Sequence, residues 1–378
     1  MGAADPTYPL FPIASFLAAA LLLLILLSRF VRQNWNLGVC FLSFWLFVVN
    51  VISGMNAIIW SDSNEIKLYI YCDIVSHLQL MSFTVQSSAT LIIIRRLYTI
   101  ASVQSVEPPS GTAKQWDVSI EWILGFLFPI LVAGPLYYVV QAARFGVVSV
   151  QGCVYIIDDS GLSYLLLYTW PILFPLISIL VYYPKVAYTF YRHNRDVNRY
   201  LRTNNTITHS TYFRVLTLAS IDILVTLPLG VTVFAFAMVS DRPTWKPLYP
   251  GWDYVHVHWA PYSFPDDAKA ARPVALASKF FFLWKPPALA FVIFSLFGLT
   301  GEAIESYCQA LRYIGLCLCF KQKVTSRKQG DLDPSALAAI ELERHPQETA
   351  QTATIVRAGS ITASSEAEQW GNKRVHSV

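Results

Sequence analysis

An all-α bundle of seven membrane-crossing helices is the fold class that this sequence predicts. Three observations carry it. Seven apolar stretches lie at roughly 9–30, 36–60, 68–94, 119–140, 163–190, 212–239 and 273–298. Each is near the ~20 residues that a helix needs to cross about 30 Å of hydrocarbon. Hydrophobic residues make up 54% of the 378 and charged ones only 14%, more apolar surface than a water-soluble core of this size could hide. Helices rather than barrel strands follow, because the runs are continuously apolar and do not alternate.

Basic residues decide the orientation. One set of connections holds Arg29, Arg32, Arg95, Arg96, Lys114, Arg192, Arg195, Arg199, Arg202, Arg312, Lys321, Lys323, Arg327 and Lys328. The opposite set holds only Lys67, Arg144, Arg242, Lys246, Lys269 and Arg272, interspersed with aspartates. The N-terminus is therefore expected outside and the C-terminal tail in the cytoplasm. Topology also accounts for the formal net charge of +4, so no nucleic-acid partner is expected.

The first run, Phe16 to Leu27, has no basic residue before it, and Arg29 and Arg32 follow it. Those flanks are inverted for a cleavable signal, so it reads as a first span. The second carries Asn50, Asn56 and Trp60, and the third opens with Cys72, Asp73 and His77. Asp73 and His77 are four residues apart and share a helical face. With Asn56 and Trp60 they are candidates for the polar rim of an outward ligand pocket; the plain alternative is helix–helix hydrogen bonding. Cys72 and Cys153 both face the oxidising side, which favours a disulfide between them over two free buried thiols.

The cytoplasmic connection from about Ala101 to Asp117, with Pro108, Pro109 and Gly111, is expected to be irregular. Pro171, Pro175 and Pro184 in the fifth run, Pro228 in the sixth and Pro286-Pro287 in the seventh should kink or loosen their helices. Asp222 and Lys285 are the two charges deep within spans, each roughly 16–18 Å from its membrane surface at about 1.5 Å per residue. Intramembrane charges default to functional hypotheses, and these two are expected to pair across the sixth and seventh helices. The outer connection Ser240–Arg272 is crowded with aromatic residues and prolines. It reads as an ordered aromatic cap, either an interfacial belt or a lid over a ligand site.

After the seventh span, a short amphipathic helix should lie on the inner leaflet, closing a seven-helix unit of residues 1–315. Residues 316–378 form a polar tail expected to be disordered. Cys308, Cys317 and Cys319 are juxtamembrane, which suits reversible palmitoylation; the plain alternative is unmodified cysteine at the interface. No zinc-type cysteine spacing or glycine-rich phosphate loop is present, so neither metal nor cofactor is expected.

An odd number of spans suits a receptor or a light-driven protein better than a symmetric transporter. Lys285 keeps a retinal-binding alternative open, and a small-solute transporter is disfavoured by the lack of repeats. Further residues narrow this. Asn36-Leu37-Gly38, Trp45, Asn50, Asn56-Ala57-Ile58-Ile59-Trp60, Cys72-Asp73-Ile74 and Leu91 to Tyr98 run in order. They are followed by Tyr212-Phe213-Arg214, Asp222, Leu227-Pro228, Phe297-Gly298 and Thr300-Gly301-Glu302-Ala303. In these the chain resembles the fungal mating-pheromone receptors of the a-factor type, over roughly residues 10–315. The resemblance implies a plasma-membrane receptor, not an enzyme, that binds a farnesylated peptide and activates a heterotrimeric G protein. Arg95, Arg96, Arg192, Arg195 and Arg214 would then be candidates for the G-protein face.

Overall fold

The computed structural model describes residues 7–32, 36–102, 111–192, 209–239, 247–264, 273–300, 303–305 and 307. By compactness the chain divides into Met1–Cys317 and Leu318–Val378, the second lying outside the described residues. Among the described residues, seven helices are long and apolar enough to cross a membrane, which makes this a multi-pass membrane protein.

Spans one, two and three are Leu10–Arg32, Leu37–Ile59 and Tyr69–Ser102. Span four starts as Gly111–Trp122 and continues to Tyr137–Val140. Span five runs from Trp170–Ile177 to Tyr183–Arg192, six is His209–Val239 and seven is Pro273–Ile293. Spans three and four depart from expectation at their inner ends. Span three continues to Ser102, and the connection expected to be irregular is already helical from Gly111. Hydropathy ends where charge begins, but the backbone ladder continues because Arg95 and Arg96 find partners on span four.

Span three is the most enclosed of the seven and packs against two, five and six. Its middle is lined with small hydroxyl residues, and they cost little because most bond their own helix, while Ser82 donates to the Trp45 carbonyl of span two at 3.3 Å. Thr84 donates to the Leu80 carbonyl at 3.0 Å, Ser87 to Thr84 at 2.9 Å and Ser88 to Val85 at 3.2 Å. Such back-bonding lets small polar side chains sit at a close helix–helix seam. Around them Leu42, Leu46, Val85, Ile92, Leu218 and Ile293 form the central core.

Pro129, Pro171 and Pro184 act through widened turns. A proline ring clashes with the carbonyl four residues earlier, and a π-turn moves that carbonyl aside. Pro129 lies four residues after Gly125, in the π-turn Ile123–Leu127. Pro171 stands in the same relation to Leu167 in Tyr164–Tyr168, and Pro184 to Leu180 in Ser178–Tyr182. Pro175, Pro228 and Pro286-Pro287, by contrast, lie within α-helical stretches of spans five, six and seven.

On the outer side, β1 (Gly146–Val148) and β2 (Gly152–Val154) form an antiparallel hairpin. β3 (Tyr262–Ser263), from the last outer connection, pairs with β1 in parallel, giving the order β2-β1-β3.

Candidate functional site

The outer cap is built on a disulfide. Cys72, at the start of span three, is joined to Cys153 in β2, with a Cα–Cα distance of 5.2 Å. The link closes a sequence separation of 81 residues and pins the hairpin over the bundle. Ile52, Trp60, Val75, Phe145 and Val147 bury themselves around it.

Asn56 and Trp60 lie beneath this hairpin. Asn56 donates to the Gln151 carbonyl at 2.9 Å and accepts from the Tyr71 hydroxyl at 2.8 Å. Trp60 stacks on Tyr71, and its indole N–H donates to the Glu65 carbonyl at 2.9 Å. Both are fully buried. The rim expected from them is therefore not an exposed surface: their polar atoms are spent on holding the hairpin. Gly152 makes that contact possible. Its φ is +67°, and a Cβ there would stand 2.7 Å from Asn56 side-chain atoms. At the tip, Val150 is buried with Phe11 of span one, Ala57 of span two and Leu283 of span seven. The hairpin thus reaches across the bundle mouth.

Asp73 and His77 are more accessible. Arg144, just before β1, binds Asp73 through two bonds of 2.8 and 2.5 Å. This bidentate contact holds the guanidinium above its ordinary pKa. Arg144 also lies over the Tyr69 ring, 5.8 Å from its centroid. His77 Nδ1 donates to the Asp73 carbonyl at 2.7 Å, because that oxygen can only accept, and the ring meets Tyr137 edge-on. One loop and two spans therefore converge on an ionic, partly exposed corner.

Deeper, spans six and seven touch only sparsely. Between them lies a cavity of about 240 Å³, lined chiefly by Ile221, Val225, Phe281, Trp284, Ala288 and Leu289. Asp222 and Lys285 both border it. The expected direct pair is nonetheless not made: among the described residues no ion pair joins them. Asp222 instead accepts the Thr90 hydroxyl of span three, and that of Thr226 at 3.2 Å. A buried carboxylate needs hydrogen-bond donors, and two threonines supply them at lower desolvation cost than a second charge. Phe281 is 45% exposed, so the cavity borders the outer surface of the bundle at that edge.

At the inner end, Arg95 pairs with Asp117, and Arg96 Nη1 meets Glu121 Oε2 at 3.1 Å. The two arginines expected to face a partner are thus tied to span four. Arg214 is partly buried at the inner end of span six. Arg192 ends span five, its side chain outside the described residues, as are Arg195, Cys308, Cys317 and Cys319.

The ordered agreement of this framework with known sequences decides its identity. Residues 10–318 match the pheromone A receptor family, STE3. The chain belongs to the pheromone A receptor family. It is 30% identical to the pheromone B alpha 2 receptor of Schizophyllum commune over 323 residues, which are 85% of this chain and 49% of that protein. Against pheromone receptor 1 of Ustilago hordei the identity is 26%, covering 86% of this chain and 88% of the relative. Against the pheromone a factor receptor of Saccharomyces cerevisiae it is 27%, covering 74% and 57%. The chain spans about half the length of the Schizophyllum alpha receptors that it matches. The family comprises signalling receptors rather than enzymes, which removes the motive for the retinal and transporter alternatives.

Sequence reasoning missed four partners of these pheromone-receptor residues: Thr90, Asp117, Glu121 and Arg144. Arg144 carried a signal, as an arginine on the side where basic residues are scarce. Asp117 and Glu121 carried another, being two carboxylates one helical turn apart. Thr90 carried none beyond its place in a hydroxyl-rich span.

Proposed function

We propose that this chain is a plasma-membrane receptor that binds a prenylated peptide pheromone and activates a heterotrimeric G protein. The observation that carries the reading is the contrast between a closed top and an apolar cavity bordering the side of the bundle. The β1–β2 hairpin covers the mouth, with Val150 against spans one, two and seven. The cavity between spans six and seven is lined almost wholly by apolar groups. A lipid-modified peptide partitions into the bilayer first, with about 0.8 kcal/mol for each buried methylene. Its chain can then enter sideways while the peptide reaches the corner of Asp73, Arg144 and His77. Family membership supports a pheromone as the class of ligand, and the apolar lining of the cavity supports a lipid on it.

Coupling is assigned to the inner ends of spans three and six, through Arg95, Arg96 and Arg214. The test is a signalling assay in cells that express this chain, using a panel of short farnesylated peptides. An active peptide should lose most of its potency when the same sequence is offered without its lipid. Filling the cavity by Ala288→Phe should weaken the farnesylated form more than the bare one. Equal potency of both forms would overturn the lipid reading.

A further inference from the structure

We infer that the last outer connection is a membrane-interface anchor, with Trp252 and Trp259 seated in the headgroup region of the outer leaflet beside span four. The argument starts from which way span four faces. Its buried residues, Gly125, Pro129, Ala133, Tyr137 and Val140, form one side. Leu127, Leu131 and Tyr138 form the other, 59%, 47% and 49% exposed. In a multi-pass protein that exposed apolar stripe is the lipid face.

The outer end of the stripe is where the connection lands. Tyr138 makes ring contacts with Trp252 at 5.5 Å, His256 at 5.5 Å and Trp259 at 5.8 Å. His256 is stacked on Trp252 at 4.0 Å and on Trp259 at 5.4 Å. Its ring also bridges loop to helix: Nδ1 lies 3.0 Å from the Trp252 carbonyl and Nε2 3.0 Å from the Tyr138 carbonyl. A further tie runs from the Tyr249 hydroxyl to the Val139 carbonyl at 3.4 Å. The segment is thus fastened to the lipid side of span four, while β3 a few residues later joins the sheet over the bundle.

The chemistry of its outer surface fits that position. Trp252 remains 46% exposed and Trp259 36%, although both are packed against other rings. Left in water, that surface would be an uncompensated apolar patch. At the boundary of hydrocarbon and headgroups it is favourable, because an indole can bury its ring and keep its N–H wet. The patch continues a surface that already meets lipid, so the bilayer is the occupant that geometry selects.

Tryptophan emission tests this on the full chain reconstituted in lipid nanodiscs. Lipids brominated near the headgroup end of the acyl chain should quench the wild-type protein. In the Trp252→Phe/Trp259→Phe double variant that quenching should fall by up to the pair's share, two of the eleven tryptophans. Lipids brominated near the chain terminus should quench the pair less. If the double variant is quenched by shallow-brominated lipid as strongly as wild type, the anchor is excluded. If the substitutions instead remove the emission that aqueous acrylamide quenches, the segment is a water-exposed lid. Each single variant carries the same comparison should the double variant fail to accumulate.

Discussion

Thr90 of span three donates its hydroxyl to the carboxylate of Asp222 in span six, deep within the membrane. Because inner-end movement of span six relative to span three would stretch this bond, it is a physical candidate for a resting-state latch. Thr90→Val keeps the shape and removes the donor, which should destabilise the resting bundle by about 1–2 kcal/mol. Raised ligand-independent signalling together with a lower melting temperature in detergent is the expected pair of results. Unchanged basal signalling would remove the latch role.

Asp222 and Lys285 share a cavity without direct contact, so their coupling should be modest. Asp222→Asn and Lys285→Ala, singly and together, form a double-mutant cycle on basal signalling and stability. A coupling below about 1 kcal/mol is expected, against the larger values found between residues in one ion pair. A coupling several times greater would mean that the two meet directly in a functioning state.

Gly152 is held at a φ of +67° with Asn56 immediately beside it. Gly152→Ala should therefore cost about 1–3 kcal/mol from backbone strain alone, and more from the clash. Gly134 supplies the control, since a Cβ there meets nothing within 4 Å. Surface expression of Gly152→Ala should fall well below that of Gly134→Ala. Equal expression would show that the hairpin has another way to seat.

The inner pairs Arg95–Asp117 and Arg96–Glu121 hold two candidate coupling residues against span four. Asp117→Asn with Glu121→Gln should free both arginines while keeping side-chain size. Nucleotide exchange by the co-expressed G protein is expected to rise several-fold without ligand. Arg95→Ala with Arg96→Ala should abolish exchange even with ligand. Exchange that survives the second change places coupling elsewhere.

At the outer corner, the bidentate geometry between Arg144 and Asp73 cannot be reproduced by lysine. Arg144→Lys should weaken peptide response about ten-fold or more while leaving cell-surface level near normal, measured as a shift in half-maximal concentration. A response shift matched by an equal loss of surface protein would make the pair structural only.

The spans were legible because lipid imposes one rule on every backbone polar group, and continuously apolar runs that do not alternate obey it as long helices. The mutual reach of Cys72 and Cys153 was readable for a similar reason: both lie on one side of the same barrier. Asn56 and Trp60 were read as rim residues because polarity near a helix end looks the same whether a ligand or a loop will meet it. The hairpin that buries them comes from a segment some 95 residues away, a distance that composition does not report. The expected Asp222–Lys285 pair failed on the same ground. Depth along two helices is countable, but the rotation that turned Asp222 toward Thr90 of span three is set by packing.

Membrane class and the order of the spans thus follow from residue chemistry and the ~30 Å of hydrocarbon to be crossed. Which charges meet, what covers the mouth and where the aromatic loop lies depend on side-chain interdigitation between helices distant in the chain. Those choices exist only once the bundle has closed.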